Sequence, residues 1–314
     1  MKTKTLFFIK ILMTCVIGTI LYFSVDWGHV FKNLQNLSFF TLTMSLGLLS
    51  FTCVFLSYRT KILLKTLDFS ISFKGSLVLA VVGHGLNQLM PGVVGGDFYR
   101  GLALHQRGLS LKKSVSILLT DRLIGLFTLG CMSLIGGILY LETLLKSPLG
   151  EVIILSLFSI ALFSFSLFFV SFLPNHVFHK KFLKPLSSVH QSLAALRNYP
   201  KWFLKAFAAS ILIHGCLVVF YWILALDLRI SLNITHLLLV LPLSFFLSAL
   251  PISFAGWGLR ESSMILGLGI FGVSKEDALV LAMIYGVLQI VLAIPCLAYG
   301  VMSKETLLLK KKPV

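Results

Sequence analysis

Pro91-Gly-Val-Val-Gly-Gly-Asp-Phe-Tyr-Arg100 and Pro251-Ile-Ser-Phe-Ala-Gly-Trp-Gly-Leu-Arg260 are two versions of one pattern. Each runs from a proline through glycines to an arginine nine positions later, and each interrupts an apolar run. They lie 251 − 91 = 160 residues apart. Helix breakers and a charge inside apolar sequence are tolerated in lipid only where protein or water satisfies the freed backbone groups. Broken segments at matching positions in two halves of a chain point to the binding site of a transporter.

Composition fixes the setting of these two elements. The chain is 57% hydrophobic and 12% charged, with a mean hydropathy of +0.96. A water-soluble fold of this size could not cover so much apolar surface, so an all-α polytopic membrane protein is expected. The formal charge of +16 reads as basic loops that set membrane topology, with no nucleic-acid partner. The five cysteines, Cys15, Cys53, Cys131, Cys216 and Cys296, all lie in apolar runs without close spacing. They read as small buried residues, not as a disulfide frame or a metal site. Lys2 and Lys4 before Leu6–Val25 resemble a signal peptide, but no cleavage pattern follows. A retained first helix is expected.

Six runs are long enough to span: Leu6–Val25, Phe39–Tyr58, Ser114–Tyr140, Val152–Phe172, Ala206–Leu226 and Ala278–Met302. Ser76–Met90 and Leu237–Leu250 fall short, reaching only about 22 and about 21 Å as helices. Basic residues gather in alternate loops: Arg59, Lys61, Lys65 and Lys74; Arg100, Arg107, Lys112 and Lys113; and the 173–205 loop with Lys180, Lys181, Lys184, Arg197, Lys201 and Lys205. With Lys304 and Lys310–Lys312 they place both termini in the cytoplasm, here of a plasma (inner) membrane. Ser76–Met90 has basic loops on both sides, so it is expected to enter from the cytoplasm and return there. Leu237–Leu250 starts from an outside loop, and Ser262–Phe271 brings the chain back out. The fold expected is therefore about six spans plus two re-entrant Pro/Gly hairpins, in one membrane domain over 1–314. Its two halves, about 39–140 and 206–302, form an inverted repeat. Two short full spans are the alternative, and they would put Arg100, Arg107, Lys112 and Lys113 outside. Between the fourth and fifth spans, Val189, Leu193 and Leu196 recur at helical spacing, as in an interfacial helix or a solvated linker.

The first hairpin carries His84, Asn87, Gln88, Pro91, Gly92, Gly95, Gly96, Asp97, Tyr99 and Arg100. Pro91 ends the entering helix, the glycines allow tight turns, and Asp97 suits a helix start. Backbone N–H groups there favour an anion, and Arg100 adds a phosphate-matched fork of donors. A structural role, with Asp97 capping and pairing Arg100, is compatible with this. Asp121 and Arg122 are adjacent and so face different partners. Arg122 with Asp97 and Asp121 with Arg100 is the pairing expected, and snorkelling to headgroups is the alternative. The second hairpin holds Ser253, Gly256, Trp257, Gly258, Arg260 and Glu261. Arg260 needs a partner in lipid, either Glu261 or an anionic headgroup. No H-E-x-x-H, G-x-S-x-G or Walker sequence is present, so no catalytic site, metal or cofactor is expected.

Three ordered motifs carry a family resemblance: Asn87-x-x-x-Pro91-Gly-x-x-Gly-Gly-Asp97-x-x-Arg100, Asp121-Arg122-x-x-Gly125 and Pro251-x-Ser253-x-x-Gly256-Trp-Gly-x-Arg260-Glu261. In these the chain resembles the lysylphosphatidylglycerol synthase transmembrane, or flippase-like, family over nearly its whole length. The resemblance implies a membrane domain that moves lipid, expected here without the soluble synthase half found in two-part members. It also implies a lipid partner with an anionic headgroup: a phospholipid, an aminoacyl-phospholipid, or a polyprenyl- or glycolipid. The competing expectation is a non-transporting partner of a lipid or glycan biosynthetic enzyme. In the transport reading Arg100, Arg122 and Arg260 hold the headgroup phosphate.

Overall fold

The computed structural model describes residues 12, 15–89, 95–169, 172, 187, 190, 193–194, 199–249, 253 and 256–302, and these are helical throughout their regular elements. In chain order the helices are α1 (Cys15–Ser24), α2 (Trp27–Gln35), α3 (Phe39–Lys65), α4 (Phe73–Leu89), α5 (Gly95–Gln106), α6 (Leu111–Leu139), α7 (Leu141–Leu145), α8 (Gly150–Phe169), α9 (Pro200–Asp227), α10 (Ile234–Ala249), α11 (Leu259–Gly269) and α12 (Lys275–Met302). Four of them are long and apolar enough to cross a membrane: α3, α6, α9 and α12. The other two spans expected from sequence correspond to α1 and α8, which are shorter over the described residues. Part of Leu6–Val25 lies outside the described residues.

The long helices are apolar on all sides, as lipid-embedded helices are. Phe39, Ile138 and Ile294 face outward. Where helices touch, small polar residues replace large ones and bond across the seam. Ser76 Oγ donates to the Ser57 carbonyl at 2.7 Å, and Ser133 Oγ to the Leu157 carbonyl at 2.8 Å.

Both short segments form hairpins, not spans. α5 folds back on α4: Gly83 sits against Gly96 and Arg100, and the Arg107 side chain reaches the Gly75 carbonyl. The hairpin starts at the basic end of α3, where Lys61 lies over Phe73. It returns there to start α6. α11 folds back on α10 in the same way, with Val240 against Gly267 and His236 stacked on Phe271 at 3.9 Å. That hairpin begins and ends at the other end of the bundle, beside Tyr140 at the close of α6.

The halves are related by inversion. α3 and α9, the first long helix of each half, run antiparallel. The Ser38 N–H, at the cap of α3, donates to Asp227 Oδ2 at 2.8 Å at one end. Arg59 Nη1 donates to Ser210 Oγ at 3.0 Å towards the other. Every packing relation among α3–α6 and α9–α12 has its counterpart. α3 meets α4, α4 meets α5 and α5 meets α6, as α9 meets α10, α10 meets α11 and α11 meets α12. α4 crosses to α12 as α10 crosses to α6. α8 packs on α6 and α10 outside this symmetry. Of the expected interfacial helix, Val189 and Leu196 lie outside the described residues, while Leu193 is buried in an apolar cluster with Ile62, Leu104 and Ala206.

This topology predicts a labelling pattern. In a cysteine-free background, Lys74→Cys and Lys112→Cys, at exposed positions flanking the first hairpin, should react with an impermeant maleimide from one face only. Ser231→Cys and Ser274→Cys should react from the opposite face. Reaction of Lys74→Cys and Lys112→Cys from opposite faces would mean that α4 crosses.

Candidate functional site

The first hairpin is held by a chain of ions, partly exposed at Arg122 and buried at Arg100, Asp121 and Arg59. Arg122 on α6 pairs with Asp97 on α5, and Asp97 also accepts from Arg100 Nη1 at 3.3 Å. Arg100 Nη2 donates to Thr60 Oγ1 at 2.6 Å and reaches Asp121 Oδ2 at 3.5 Å. Asp121 accepts from Arg59 Nε at 2.7 Å. One network thus joins α3, α5, α6 and α9. Asp121 is 2% exposed, and Arg59 and Arg100 are 6% and 5% exposed. Charges this deep persist because each faces an opposite charge and further donors or acceptors. The cross-pairing of Asp97 with Arg122 and of Asp121 with Arg100 is the one expected from sequence.

Glycines make the close approach possible. A Cβ on Gly96 would run into the Gly83 carbonyl and lie 2.8 Å from Asn87 Oδ1, and a Cβ on Gly83 would lie 2.9 Å from Arg100 Cδ. Asn87 Oδ1 accepts from the Gly96 N–H at 2.7 Å, tying α4 to the start of α5. Gly95 is buried beside it. Tyr99 packs into the apolar cluster at the basic end and supports the hairpin there. Pro91, Gly92 and Pro251 lie outside the described residues.

The second hairpin solves the same problem with aromatics. Arg260 is 5% exposed and Glu261 3% exposed. Arg260 donates twice to Glu261 Oε1, at 3.0 and 2.5 Å. Its guanidinium lies 5.0 Å from the Trp257 ring centroid and 5.1 Å from that of Tyr285, a desolvated cation–π arrangement. Glu261 Oε2 accepts from the Gly258 N–H at 2.5 Å, capping α11. Gly256 and Gly258 have φ of +82° and +87°, values that favour glycine. Ser253 is buried, and its hydroxyl has no partner among the described residues. α12 starts 275 − 111 = 164 positions after α6. On that count Tyr285 takes the place of Asp121 and Gly286 that of Arg122. A Cβ on Gly286 would lie 2.5 Å from Arg260 Nη2, so the glycine is what admits the guanidinium.

Two cavities lie between the hairpins. The larger, about 580 Å³, is walled by residues of α3, α4, α6, α8, α9 and α10, including Arg59, Arg122, His84, His214, Phe163 and Phe246. The smaller, about 280 Å³, is walled by Asn87, Gln88, Ser248, Arg260, Tyr285 and Gln289 among others. Thr52, His84, Ile213 and Ala249 line both, so the two adjoin. Phe163, 47% exposed, meets Phe246 at 6.1 Å between α8 and α10. It brings the larger cavity to the lipid-facing surface. Gly125, the last residue of its motif, lines that cavity opposite Arg59, which would sit 3.6 Å from a Cβ there.

One sequence expectation changes here. Arg100 does not line either cavity. Thr60, Asp97 and Asp121 hold it behind the wall, so it braces the hairpin. Beside Arg122, the larger cavity is lined by Arg59, which sequence placed in the loop after the second span. The apolar run ends at Tyr58, but α3 continues to Lys65 because Asp121, 62 positions away, neutralises Arg59 inside the bundle. His214, Thr52, Tyr285, Gly286 and Gln289 were likewise unmarked in sequence, since only the packing of the helices brings them to these cavities or to Arg260. Arg122 lines the larger cavity and Arg260 the smaller.

The whole-chain comparisons agree with the motifs. A family model described as the lysylphosphatidylglycerol synthase TM region matches residues 7–296. The UPF0104 membrane protein MJ1595 of Methanocaldococcus jannaschii is 23% identical, with 88% of each chain covered. The match to the family model runs through both hairpins, the Asp121-Arg122 motif and the four long helices, and the chain belongs to the lysylphosphatidylglycerol synthase transmembrane-region family.

Proposed function

We propose that this protein moves a lipid with an anionic headgroup across a plasma membrane, its basic end and both termini cytoplasmic. It does so by conformational change, without a covalent step. The observation that carries this reading is the pair of adjoining cavities. They set Arg59, Arg122 and Arg260 between two hairpins that enter from opposite ends, with an aromatic rim at the lipid-facing surface. A headgroup phosphate meets guanidinium donors inside, while its acyl chains stay against apolar helix faces outside. The inverted halves give two related arrangements in which either hairpin can close the path. An anionic phospholipid, or a polyprenyl- or glycolipid phosphate, fits this description.

The test is transbilayer movement of fluorescent phosphatidylglycerol in proteoliposomes. Arg122 is the partly exposed cation of the network, so Arg122→Ala should fold and yet lose movement. Removing one charge-assisted contact, about 1.5–3 kcal/mol, corresponds to a rate lower by roughly ten- to a hundredfold. Wild-type rates in Arg122→Ala would count against the reading. Absence of movement with wild-type protein, together with co-purification of a synthase, would favour the role of enzyme partner.

A further inference from the structure

We infer that the cargo headgroup is a phosphate ester bearing hydroxyl groups, and that the site discriminates against cationic, aminoacylated headgroups. This rests on the transport reading above but concerns selectivity alone. The chain has eleven acidic residues. Among the described acidic residues, Asp121 and Glu261 are buried and Asp97 is partly buried beside them, and each of these three is paired with an arginine. With Arg59, Arg100, Arg122 and Arg260 the interior balance is 4 − 3 = +1. Among the described residues, no acidic side chain lines either cavity. The sequence of segments 90–94 and 250–255 contains none either.

An ammonium group entering here would therefore find fixed positive charge and no carboxylate. The alternative receptor for a cation is an aromatic cage. The cage present, Trp257 and Tyr285, already holds Arg260. The phenylalanines on the walls offer weaker faces beside two guanidinium groups.

The smaller cavity supplies the complementary chemistry. Gln88, Gln289 and Asn87 line it with Ser248. A carboxamide both donates and accepts, as a hydroxyl does, so carboxamides match a polyol without preferring either charge. Gln289 is 6% exposed and its Oε1 is buried without a partner among the described residues, as is His84 Nε2. Buried polar atoms of this kind cost stability until something bonds them. Glycerol or sugar hydroxyls beside a phosphate held by Arg59, Arg122 or Arg260 would do so.

The experiment is equilibrium binding to the full chain in phosphatidylcholine nanodiscs, read by native mass spectrometry. Three probes are used: phosphatidylglycerol, phosphatidic acid and lysyl-phosphatidylglycerol. Phosphatidylglycerol should bind at least about tenfold more tightly than the lysyl lipid, and roughly fivefold more tightly than phosphatidic acid, which lacks the hydroxyls. Gln289→Glu adds a carboxylate of nearly the same shape and should narrow or reverse the preference over the lysyl lipid. Equal or tighter binding of the lysyl lipid by the wild type overturns the inference, whether or not Gln289→Glu folds. So does equal binding of phosphatidylglycerol and phosphatidic acid. Because binding is read without movement, selectivity stands or falls separately from transport.

Discussion

Asp121→Ala is expected to destabilise the protein by about 3–5 kcal/mol, because it strands two buried guanidinium groups at once. Among the described residues, Asp121 is the one carboxylate bonding Arg59, and it is one of the two bonding Arg100. Its removal should loosen α3, α5 and α6 together, and thermal unfolding of purified protein in detergent would show a large drop. The cause can be separated from simple loss of packing. Arg59→Met combined with Asp121→Leu removes one charge of each sign and fills the space with apolar groups. Such replacements are often neutral, so this pair should be much more stable than Asp121→Ala. Equal instability of the two variants would show that packing, not uncompensated charge, sets the cost.

Gly96→Ala carries the second large effect. The added methyl would overlap the Gly83 carbonyl, which is backbone and cannot swing aside. α4 and α5 must then separate, breaking the Asn87–Gly96 hydrogen bond and moving Arg100 off Thr60. Overpacking of this kind costs roughly 1–3 kcal/mol, occasionally more, and lipid movement should fall with it. Gly47→Ala on α3 is the control. Nothing lies within 4 Å of a Cβ there, so it should be neutral or slightly stabilising. A Gly96→Ala variant as stable and active as Gly47→Ala would contradict the close-packed hairpin.

The difference between what sequence revealed and what it concealed follows from the range of the interactions. The hairpins were legible because proline, glycine and arginine inside apolar runs are locally anomalous, and because basic loops flank Ser76–Met90 on both sides. The pairing of Asp97 with Arg122 was legible because few charges lie inside the bundle and opposite signs must meet. Arg59 was not, because at the end of an apolar run it looks like any topology-setting loop cation. Only the fold shows that Asp121 draws it inside. The inward shift of Arg59 also explains why Arg100 is a brace. Two arginines compete for one deep carboxylate, and the one on α3 holds the closer bond, at 2.7 Å against 3.5 Å. The cavity walls were hidden for a similar reason. Thr52, His214 and Gln289 are ordinary membrane-helix residues until α3, α9 and α12 bring them round one space.

Whether lipid passes through that space is most directly measured at Thr52, which borders both cavities. In a cysteine-free background, Thr52→Cys should move phosphatidylglycerol at near the wild-type rate, and a membrane-permeant maleimide should then abolish the movement. Saturating lipid should slow the labelling. Full modification of Cys at this position with movement unchanged would place the lipid path elsewhere and contradict the account.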